Sequence, residues 1–455
     1  MFTRRQLLQT ASSGFGYLAL AGLTTRPASA NEQDNPLAVK PTHFPARAKR
    51  VLFLCMSGGP SHIDTFDYKP ALQANHGREM FLPGSRSSYG KLMASPWKFS
   101  QYGESGLWIS DLFPNLAKQA DKLCMLHGMH TNFPAHPQAF LELHTGSSQF
   151  VRPSLGAWTV YGLGSENSDL PGFISLSPPS GNGGSQNYGS SFLPAVYQGT
   201  PINMTRGEGR FANIANPRMS TSKQRQQLDF TQTLNQANLQ HGGDDPQVDG
   251  IIESYELAFR MQDAVPEVMS IAAESESTRE AYGLNQTETA TFGRQCLMAR
   301  RFLEAGVRFV EVSHHGWDQH SQLKSQHESH AKSVDRPTAA LLADLDARGL
   351  LKDTLVLWGG EFGRTPVSQG FDGRDHNHKG YTMWMAGGGV KTGFKHGETD
   401  EFGRQAIAGK LHTHDLHATI LHLLGLDHTR LTYPYAGRDF RLTDIHGNVV
   451  TDIIS

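Results

Sequence analysis

The sequence predicts an α/β fold in which a mostly parallel central sheet carries helices on both faces. Segments with helical periodicity at 292–305 and 337–348 each end at a glycine, and each is followed by a short apolar run. Such helix–glycine–strand units in succession are typical of parallel sheets. The apolar runs that predict strands lie at 51–56, 123–126, 307–312, 355–358 and 381–386.

Three further helices are expected from the residues at their ends. Asp111 is a suitable N-cap for a short amphipathic helix over 111–119. Pro137 suits the first turn of a helix that ends near Gly146. Asp415 suits the N-cap of the last helix. These segments extend the alternation of helices and strands along the chain.

Two stretches interrupt this alternation. Residues 178–198 are rich in Gly, Ser, Asn and Pro and are expected to form a long loop. Residues 224–247 are rich in glutamine and only weakly periodic, which favours a helical insert. We therefore expect one domain over 50–455 with an insert at about 178–250, preceded by a polar linker at 31–49.

The composition excludes several functional classes. The 455 residues carry 41 basic and 43 acidic side chains, a formal net charge of −2, so there is no basic field for nucleic acid. Three cysteines without a C-x-x-C motif make neither a disulfide framework nor a zinc ribbon. The 22 histidines stand out, because imidazole is the commonest metal ligand.

Residues 1–30 have the pattern of an export signal. Arg4 and Arg5 precede a modestly apolar stretch, and residues 28–30 form a small-residue cleavage site. The pattern around the two arginines resembles a twin-arginine signal, with an ordinary secretory signal as the alternative. The apolar stretch is too short for a permanent membrane anchor. We expect export by the twin-arginine translocase to a periplasmic or other extracytoplasmic location.

Acidic and imidazole side chains follow two of the predicted strands, those at 307–312 and 355–358. In open α/β sheets, ligands bind outside the carboxyl ends of the strands, so these side chains are expected to lie near one another. The residues concerned are Asp318, His320, Glu361, Arg364, Asp375, His376 and His378.

A metal site is one interpretation of this set. The carboxylate of Asp318 with the imidazoles of His320 and His378 suits Zn²⁺ or Mn²⁺ better than Ca²⁺, which prefers oxygen ligands. A metal there would polarise a phosphoryl or sulfuryl oxygen. The alternative is a hydrogen-bonded polar cluster without an ion.

Two arginines are candidates for binding an anionic substrate. Arg364 could clamp anionic oxygens in bidentate fashion while Glu361 binds the metal, or the two could form a plain salt bridge. Arg374 is a second candidate for the same clamp.

Several motifs resemble a known family. The segment that ends in GGEFGRTP and the helix DLHATILHLLGLD resemble segments of the alkaline phosphatase and sulfatase superfamily. Within it, the chain resembles a bacterial family called domain of unknown function 1501, from Arg50 to the end. The motifs that carry this resemblance are GGPSHIDTFD, GWDQH, GEFGRTP, GRDH, AGGGVKTG and GRDFRLTD.

The resemblance implies hydrolysis of phosphate or sulfate esters with one or two metals and a nucleophile at a helix N-terminus. It implies Zn or Mn, with Ca or Mg as further candidates. The implied metal ligands are Asp318, His320 and either His376 or His378 at one site, and Glu361, Asp64 and His62 at a second.

The chain also departs from the superfamily pattern. Phe362 stands where the superfamily has the histidine of Asp-His-Gly, and no cysteine has the x-Pro-x-Arg context of a sulfatase nucleophile. Alignment on the helix places His136 at the nucleophile position, as a nucleophile, a general acid, a metal ligand or only a capping residue. Thr131 and Ser61 are weaker nucleophile candidates, since neither has an obvious adjacent base.

The whole pattern is interpreted as an exported metal-dependent hydrolase of sulfated or phosphorylated substrates, polysaccharides included. The alternative is a non-catalytic binding protein on a degenerate hydrolase scaffold. Phe362 and the missing nucleophile favour that alternative.

Overall fold

The fold is that of a computed structural model, which describes residues 35–81, 89–204, 218–242 and 246–455. The predicted export signal at 1–30 lies outside the described residues. The strands are β1 (Arg50–Ser57), β2 (Glu79–Phe81), β3 (Tyr89–Lys91), β4 (Phe99–Tyr102), β5 (Leu107–Ser110), β6 (Leu123–His130), β7 (Phe173–Leu176), β8 (Thr200–Ile202), β9 (Phe309–His315), β10 (Thr354–Gly359), β11 (Gly363–Gln369), β12 (Gly373–Asn377), β13 (Tyr381–Ala386), β14 (Phe394–His396), β15 (Glu398–Thr399), β16 (Ala406–Ala408), β17 (Leu411–His412), β18 (Tyr433–Tyr435) and β19 (Arg438–Phe440).

The helices are α1 (His62–Thr65), α2 (Pro70–Ala74), α3 (His136–Thr145), α4 (Leu155–Leu163), α5 (Thr221–Gly242), α6 (Pro246–Met269), α7 (Glu276–Ala281), α8 (Ala290–Glu304), α9 (Leu323–Ala347) and α10 (Thr413–Leu423). Short 3-10 helices lie at Leu116–Lys122, Gly184–Tyr188, Ala195–Tyr197, Leu351–Asp353 and Thr451–Ile453.

A nine-stranded sheet lies at the centre of the molecule, in the order β14-β6-β13-β10-β1-β9-β7-β8, with β17 beside β6. Every neighbouring pair from β10 to β8 is parallel. All the predicted apolar runs lie in this sheet, and β1 and β10 are buried along almost their whole length. The predicted α/β fold with a mostly parallel central sheet is confirmed.

Strand β13 is the exception, because it runs antiparallel to both β10 and β6. Parallel neighbours need a long crossover connection, usually a helix. Between β10 and β13 the chain forms a hairpin of β11 and β12 instead. This hairpin carries Arg364 in β11, and it presents His376 from β12 at the edge of the sheet.

The amphipathic helix predicted over 111–119 is wrong. The chain makes turns there and forms only a 3-10 helix, over Leu116–Lys122. Pro114 stands inside the predicted helix and disfavours the helical backbone conformation at the preceding residue, Phe113. The carboxylate of Asp335 in α9 accepts a hydrogen bond from the amide of Leu116 (2.8 Å). A distant segment thus supplies the partner that a helix would have supplied locally.

The last helix is predicted correctly, but its cap is not. The N-cap of α10 is His412, whose imidazole accepts a hydrogen bond from the amide of His414 (3.1 Å). Asp415 is the third residue of the helix and accepts a hydrogen bond from the amide of His412 (2.9 Å). The two side chains form a reciprocal capping box.

The regions predicted as linker and insert have their own contacts with the sheet domain. Residues 35–49 lie against it through the buried side chains of Leu37 and Ala48. The glutamine-rich stretch is helical in α5, as predicted, and α6 follows it.

All three cysteines are buried and unpaired. Among the described residues, no helix combines the length and the apolar character that crossing a membrane requires.

Candidate metal centre

Four side chains from three separate segments converge at one edge of the central sheet. The ligand atoms of His136, Asp318, His320 and His376 all lie within 4.8 Å of one another. Three imidazole Nε2 atoms surround the Oδ1 atom of Asp318, at 3.2 Å, 3.0 Å and 3.2 Å for His136, His320 and His376. We call these four residues the open cluster, because the side chains of Asp318 and His320 are 43% and 37% exposed.

The fold brings these residues together through the ends of its strands. His136 is the first residue of α3, which follows β6, and Asp318 follows β9. The loop with Asp318 passes directly over Gly58 at the end of β1. A Cβ atom on Gly58 would lie 2.8 Å from the amide nitrogen of Asp318, and its φ of +118° also favours glycine. Glycine at this position lets the carboxylate approach the sheet.

Each imidazole of the open cluster is oriented by an oxygen atom on its far side. A carbonyl or carboxylate oxygen can only accept a hydrogen bond, so the Nδ1 atom facing it carries the proton. In a neutral ring, the other nitrogen, Nε2, then presents a lone pair to the cluster. The acceptors are Glu361 Oε1 for His136 (2.6 Å), the carbonyl oxygen of Pro134 for His376 (2.6 Å) and Gln369 Oε1 for His320.

This arrangement concentrates electron-rich atoms in a small volume. The Nε2 atoms of His320 and His376 are only 2.9 Å apart, although both present lone pairs when Nδ1 carries the proton. The Nε2 atom of His136 is buried and lacks a well-oriented hydrogen bond. Three lone pairs and one carboxylate oxygen facing inward repel one another unless a cation or a proton lies between them. The cluster could hold a cation at this point.

The electrostatics of the cluster favour positive charge at its centre. Burial lowers the pKa of His136, but hydrogen bonds and charge from Asp318 and Glu361 outweigh it and raise the pKa to about 9. Burial would raise the pKa of Asp318, yet its contacts with His136, His376 and Arg364 hold that pKa far below its ordinary value. Asp318 is therefore ionised at neutral pH.

Arg364 supports Asp318 from inside the protein. Its side chain is fully buried, and Nη2 lies 2.8 Å from Asp318 Oδ1. The guanidinium also donates to the carbonyl oxygens of Gly58, Gly59 and Trp317. With its donors directed to protein oxygens, Arg364 does not fit the predicted role of a clamp on substrate. It positions the carboxylate instead.

The predicted second site is built differently from the open cluster. Asp64 and Arg374 form a fully buried ion pair, with Arg374 Nε 2.7 Å from Asp64 Oδ2. Arg374 also donates to carbonyl oxygens of the protein, so it too does not fit the role of a substrate clamp. His62 is buried with its Nε2 atom 2.7 Å from the carbonyl oxygen of Gly403. Asp64 and His62 lie outside the open cluster.

Glu361, His378 and Thr131 also lie outside the four-residue set. Glu361 is fully buried behind His136 and accepts a hydrogen bond from the amide of Gly58 (3.1 Å). His378 belongs to neither group of neighbouring ligand atoms found among the described residues. The hydroxyl of Thr131 is buried and donates to the carboxylate of Glu142. Thr131 is thus placed as part of a buried hydrogen-bond pair.

Phe362 lies beside the open cluster. Its ring stacks on that of His376 (centroids 4.5 Å apart) and lies 4.8 Å from that of His136. Phe362, at the position where the resemblance implied a histidine, is thus a buried apolar wall against which two cluster imidazoles rest. Such a wall restrains the orientation of the rings and lowers the local dielectric.

Sequence reasoning missed three of the supporting groups. Gln369 and the carbonyl of Pro134 orient imidazoles from positions that carry no motif. The role of Gly58 depends on the close approach of a loop from the other half of the chain. The glycine pair after β1, Gly58 and Gly59, is typical of a tight turn, but it does not indicate that the loop with Asp318 passes over that turn.

The whole-chain comparison with family models decides the family. Residues 48–454 match the model described as protein of unknown function, DUF1501. The chain belongs to this family. The match spans the central sheet and all four residues of the open cluster, and it confirms the resemblance seen in the motifs. No curated protein matches the chain.

Similar solved structures have low sequence identity to this DUF1501 protein. The lipoteichoic acid synthase LtaP from Listeria monocytogenes is 10% identical, with 90% of this chain and 79% of that chain covered and a TM-score of 0.37. The PsFucS1 sulfatase from Pseudoalteromonas sp. is 12% identical, with coverages of 84% and 68% and a TM-score of 0.37. The C-terminal periplasmic domain of EcEptC from Escherichia coli, in a complex with Zn, is 10% identical, with coverages of 85% and 87% and a TM-score of 0.35. Similarity at this level does not transfer a site or an activity.

Proposed function

We propose that this DUF1501 protein is a metal-dependent hydrolase of sulfate or phosphate esters, with the open cluster as its metal centre. One observation carries the proposal: three imidazole Nε2 atoms face one carboxylate oxygen, close enough together to bind a single ion. In each of these rings, the opposite nitrogen, Nδ1, is hydrogen-bonded to a protein oxygen. Protein zinc sites have the same ligand types and the same outer hydrogen bonds.

The donor set favours one group of metals over another. Three nitrogen ligands and a single carboxylate suit Zn²⁺ or Mn²⁺, whereas Ca²⁺ and Mg²⁺ prefer sites made mainly of oxygen. Partial exposure of Asp318 and His320 leaves one side of the cluster open to an incoming ligand. Catalytic zinc sites keep a coordination position for water or substrate, which here would be a fifth position beside four protein ligands.

The residues around the metal centre have separable tasks. Glu361 and Gln369 hold two imidazoles by their Nδ1–H groups, and Arg364 fixes the Asp318 carboxylate. Phe362 shields the inner side of the cluster from water. A bound divalent metal would supply Lewis acidity, polarising an ester oxygen and making water a nucleophile near neutral pH. Because Thr131 and Ser61 are buried in hydrogen bonds to carboxylates, hydrolysis without a protein nucleophile fits best.

The proposal is tested by metal analysis together with a panel of aryl sulfate and aryl phosphate esters. The purified protein is expected to contain a transition metal and to hydrolyse at least one ester class. The Asp318→Asn variant should lose both the metal of this site and the hydrolysis while keeping its fold by circular dichroism. A folded wild-type protein that binds no metal at this cluster would falsify the proposal.

Two histidines of the same strand region provide a matched pair of variants. His376→Ala should reduce metal content, because His376 belongs to the open cluster, and His378→Ala should leave it unchanged. The opposite pattern would assign the ligand role to His378 and would show that the geometry of the cluster had been misinterpreted.

A binding protein without catalysis is the second candidate, and one observation favours it. The two arginines expected to hold an anionic ester are fully buried in internal contacts. A protein of this kind would bind a sulfated or phosphorylated polysaccharide with the metal present but would turn over no ester. The same panel therefore separates the two candidates.

We also propose export by the twin-arginine translocase, from the pattern around Arg4 and Arg5. That route carries folded proteins, which suits a metal bound before export. Replacement of both arginines by lysine should retain the protein in the cytoplasm of its bacterial host, as measured by cell fractionation. Undiminished export of that variant would favour an ordinary secretory signal.

A further inference from the structure

A second group of metal-ligand side chains lies inside the protein. The ligand atoms of Cys55, His144 and Glu311 lie within 4.8 Å of one another. Their residues are 0%, 4% and 1% exposed. We call these three residues the core cluster. It shares no residue with the open cluster, and the proposed hydrolysis makes no use of it.

The sheet register explains why these side chains meet. Cys55 on β1 is the register partner of Ser313 on β9, and Glu311 precedes Ser313 by two residues. Residues two apart on a strand point to the same face, so Cys55 and Glu311 share one face of the sheet. Helix α3 covers that face and places His144 over it, with His144 Nε2 3.4 Å from Glu311 Oε2.

One polar atom of the core cluster and one beside it lack the hydrogen bonds that buried atoms normally have. The Nε2 atom of His144 makes no hydrogen bond, and neither does the hydroxyl of Ser175, the register partner of Glu311 on β7. The Nδ1 atom of His144 donates to the carbonyl oxygen of Phe140 (2.8 Å), so in the neutral ring Nε2 presents a lone pair. Buried polar atoms are rarely left unpaired in folded proteins.

The charge at this position also requires a partner. Glu311 is buried, and its hydrogen bond comes from the neutral hydroxyl of Ser313 (3.1 Å). An ionised carboxylate without a cation is costly in a core. Either a proton on His144 or a bound cation can neutralise it. A bound cation would also use the thiol of Cys55, which an imidazolium–carboxylate pair does not need.

We infer that the core cluster is a closed metal site that binds Zn²⁺ or a similar thiophilic dication through Cys55 Sγ, His144 Nε2 and Glu311. Binding releases the thiol proton of Cys55 to solvent. The thiolate and the carboxylate, with one negative charge each, then balance the two positive charges of the ion. Sulfur, nitrogen and oxygen from Cys, His and Glu are the usual ligands of zinc.

The location of the core cluster indicates a structural role. The site connects α3 to β1 and β9, the strands beside the centre of the sheet. The same helix begins with His136 of the open cluster, about 12 Å away along the helix axis. An ion in the core would therefore hold the helix that presents one ligand to the proposed metal centre. Because the site is closed, the ion would enter during folding.

Cobalt substitution tests the inference on the full-length protein. Thiolate ligands give Co²⁺ an intense near-ultraviolet charge-transfer band, and the open cluster contains no sulfur. The Co²⁺-loaded wild-type protein should show this band and should contain two metal ions per chain. Cys55→Ser should lose the band and one ion, whereas Asp318→Asn should lose the other ion and keep the band.

Two controls keep the result decisive. Cys296→Ser removes an equally buried thiol outside the core cluster and should leave the band unchanged. If Cys55→Ser does not fold, X-ray absorption of the zinc-loaded wild-type protein should show sulfur at about 2.3 Å. A wild-type protein with neither cobalt band nor sulfur ligand would overturn the inference and leave His144–Glu311 as a protonated ion pair. If the wild-type protein shows the band but lacks the ion at Asp318, the proposed hydrolase is contradicted and the core site is not.

Discussion

The open cluster and the core cluster share helix α3 and combine imidazole with carboxylate, but only the core cluster contains a thiol, and the two differ in access to solvent. In the open cluster the side chains of Asp318 and His320 are 43% and 37% exposed. In the core cluster those of His144 and Glu311 are 4% and 2% exposed. In both, the imidazole Nδ1 atoms are bound to protein oxygens, which leaves Nε2 for a ligand role. If both proposals hold, the exposed cluster is the one suited to exchange and catalysis, and the buried cluster is the one suited to structure.

The largest expected difference between the clusters is their response to a chelator. Dialysis of the native protein against EDTA should remove the ion of the open cluster and abolish ester hydrolysis, because that site exchanges with solvent. The core ion should remain until the protein unfolds. Metal analysis, residual activity and the cobalt–thiolate band measure the two sites separately. If EDTA removes both ions from the folded protein at the same rate, the two clusters do not differ in their access to solvent.

Breaking the buried Asp64–Arg374 pair should destabilise the protein more than any change at the open cluster. Asp64→Asn leaves the Arg374 guanidinium uncompensated in the core, which should lower the free energy of unfolding by roughly 3–5 kcal/mol. Asp353→Asn, at the partly exposed bridge to Lys49 (3.0 Å), is the matched control and should cost at most about 1 kcal/mol. Urea denaturation measures both. Equal costs would contradict the assignment of Asp64 as a structural residue.

The same pair should contribute to acid sensitivity. Burial alone would raise the pKa of Asp64, but Arg374 outweighs it and holds the pKa below the ordinary value of 3.8. The stabilisation is therefore present above that ordinary value and is lost as the pH falls through the lower folded-state pKa. Asp64→Asn should flatten the dependence of stability on pH in this acidic range, as measured by denaturation between pH 2 and 5. An unchanged slope would show that Asp64 does not titrate with folding.

A smaller effect is expected from the groups that orient the open cluster. Gln369→Ala removes the acceptor of the His320 Nδ1–H group and should weaken metal binding by roughly 10- to 100-fold. Gln326→Ala, at an exposed side chain of α9, is the control and should leave affinity unchanged. Competition with a chromophoric chelator gives both values. Unaltered affinity in Gln369→Ala would show that the orientation of His320 depends on its other neighbours.

The elements of the central sheet could be predicted because they depend on local patterns. An apolar run such as 355–358, preceded by a helix that ends at a glycine, indicates a strand whichever strands pair with it in the sheet. The turns near Asp111 could not be predicted, because their polar partner is Asp335 on a helix far along the chain. The direction of β13 depended on a hairpin that the sequence does not mark clearly.

The candidate site was predictable in part for the same reason. In the sequence, Asp318, His320 and His376 follow two of the predicted strands, and the carboxyl ends of parallel strands lie on one edge of a sheet. The choice between His376 and His378 remained open in the sequence, because it depends on whether the side chain in β12 or the one just after it faces the loop after β9. Only the tertiary structure places His376 beside Asp318.

By itself, the sequence determined the α/β class, the family and most residues of the open cluster, because periodicity and motifs are properties of neighbouring residues. The tertiary structure decided that both arginines point inward, that His136 joins the cluster and that Cys55 meets His144 and Glu311. Those outcomes depend on contacts between segments up to a few hundred residues apart, and the burial and direction of a side chain are set only when those segments pack.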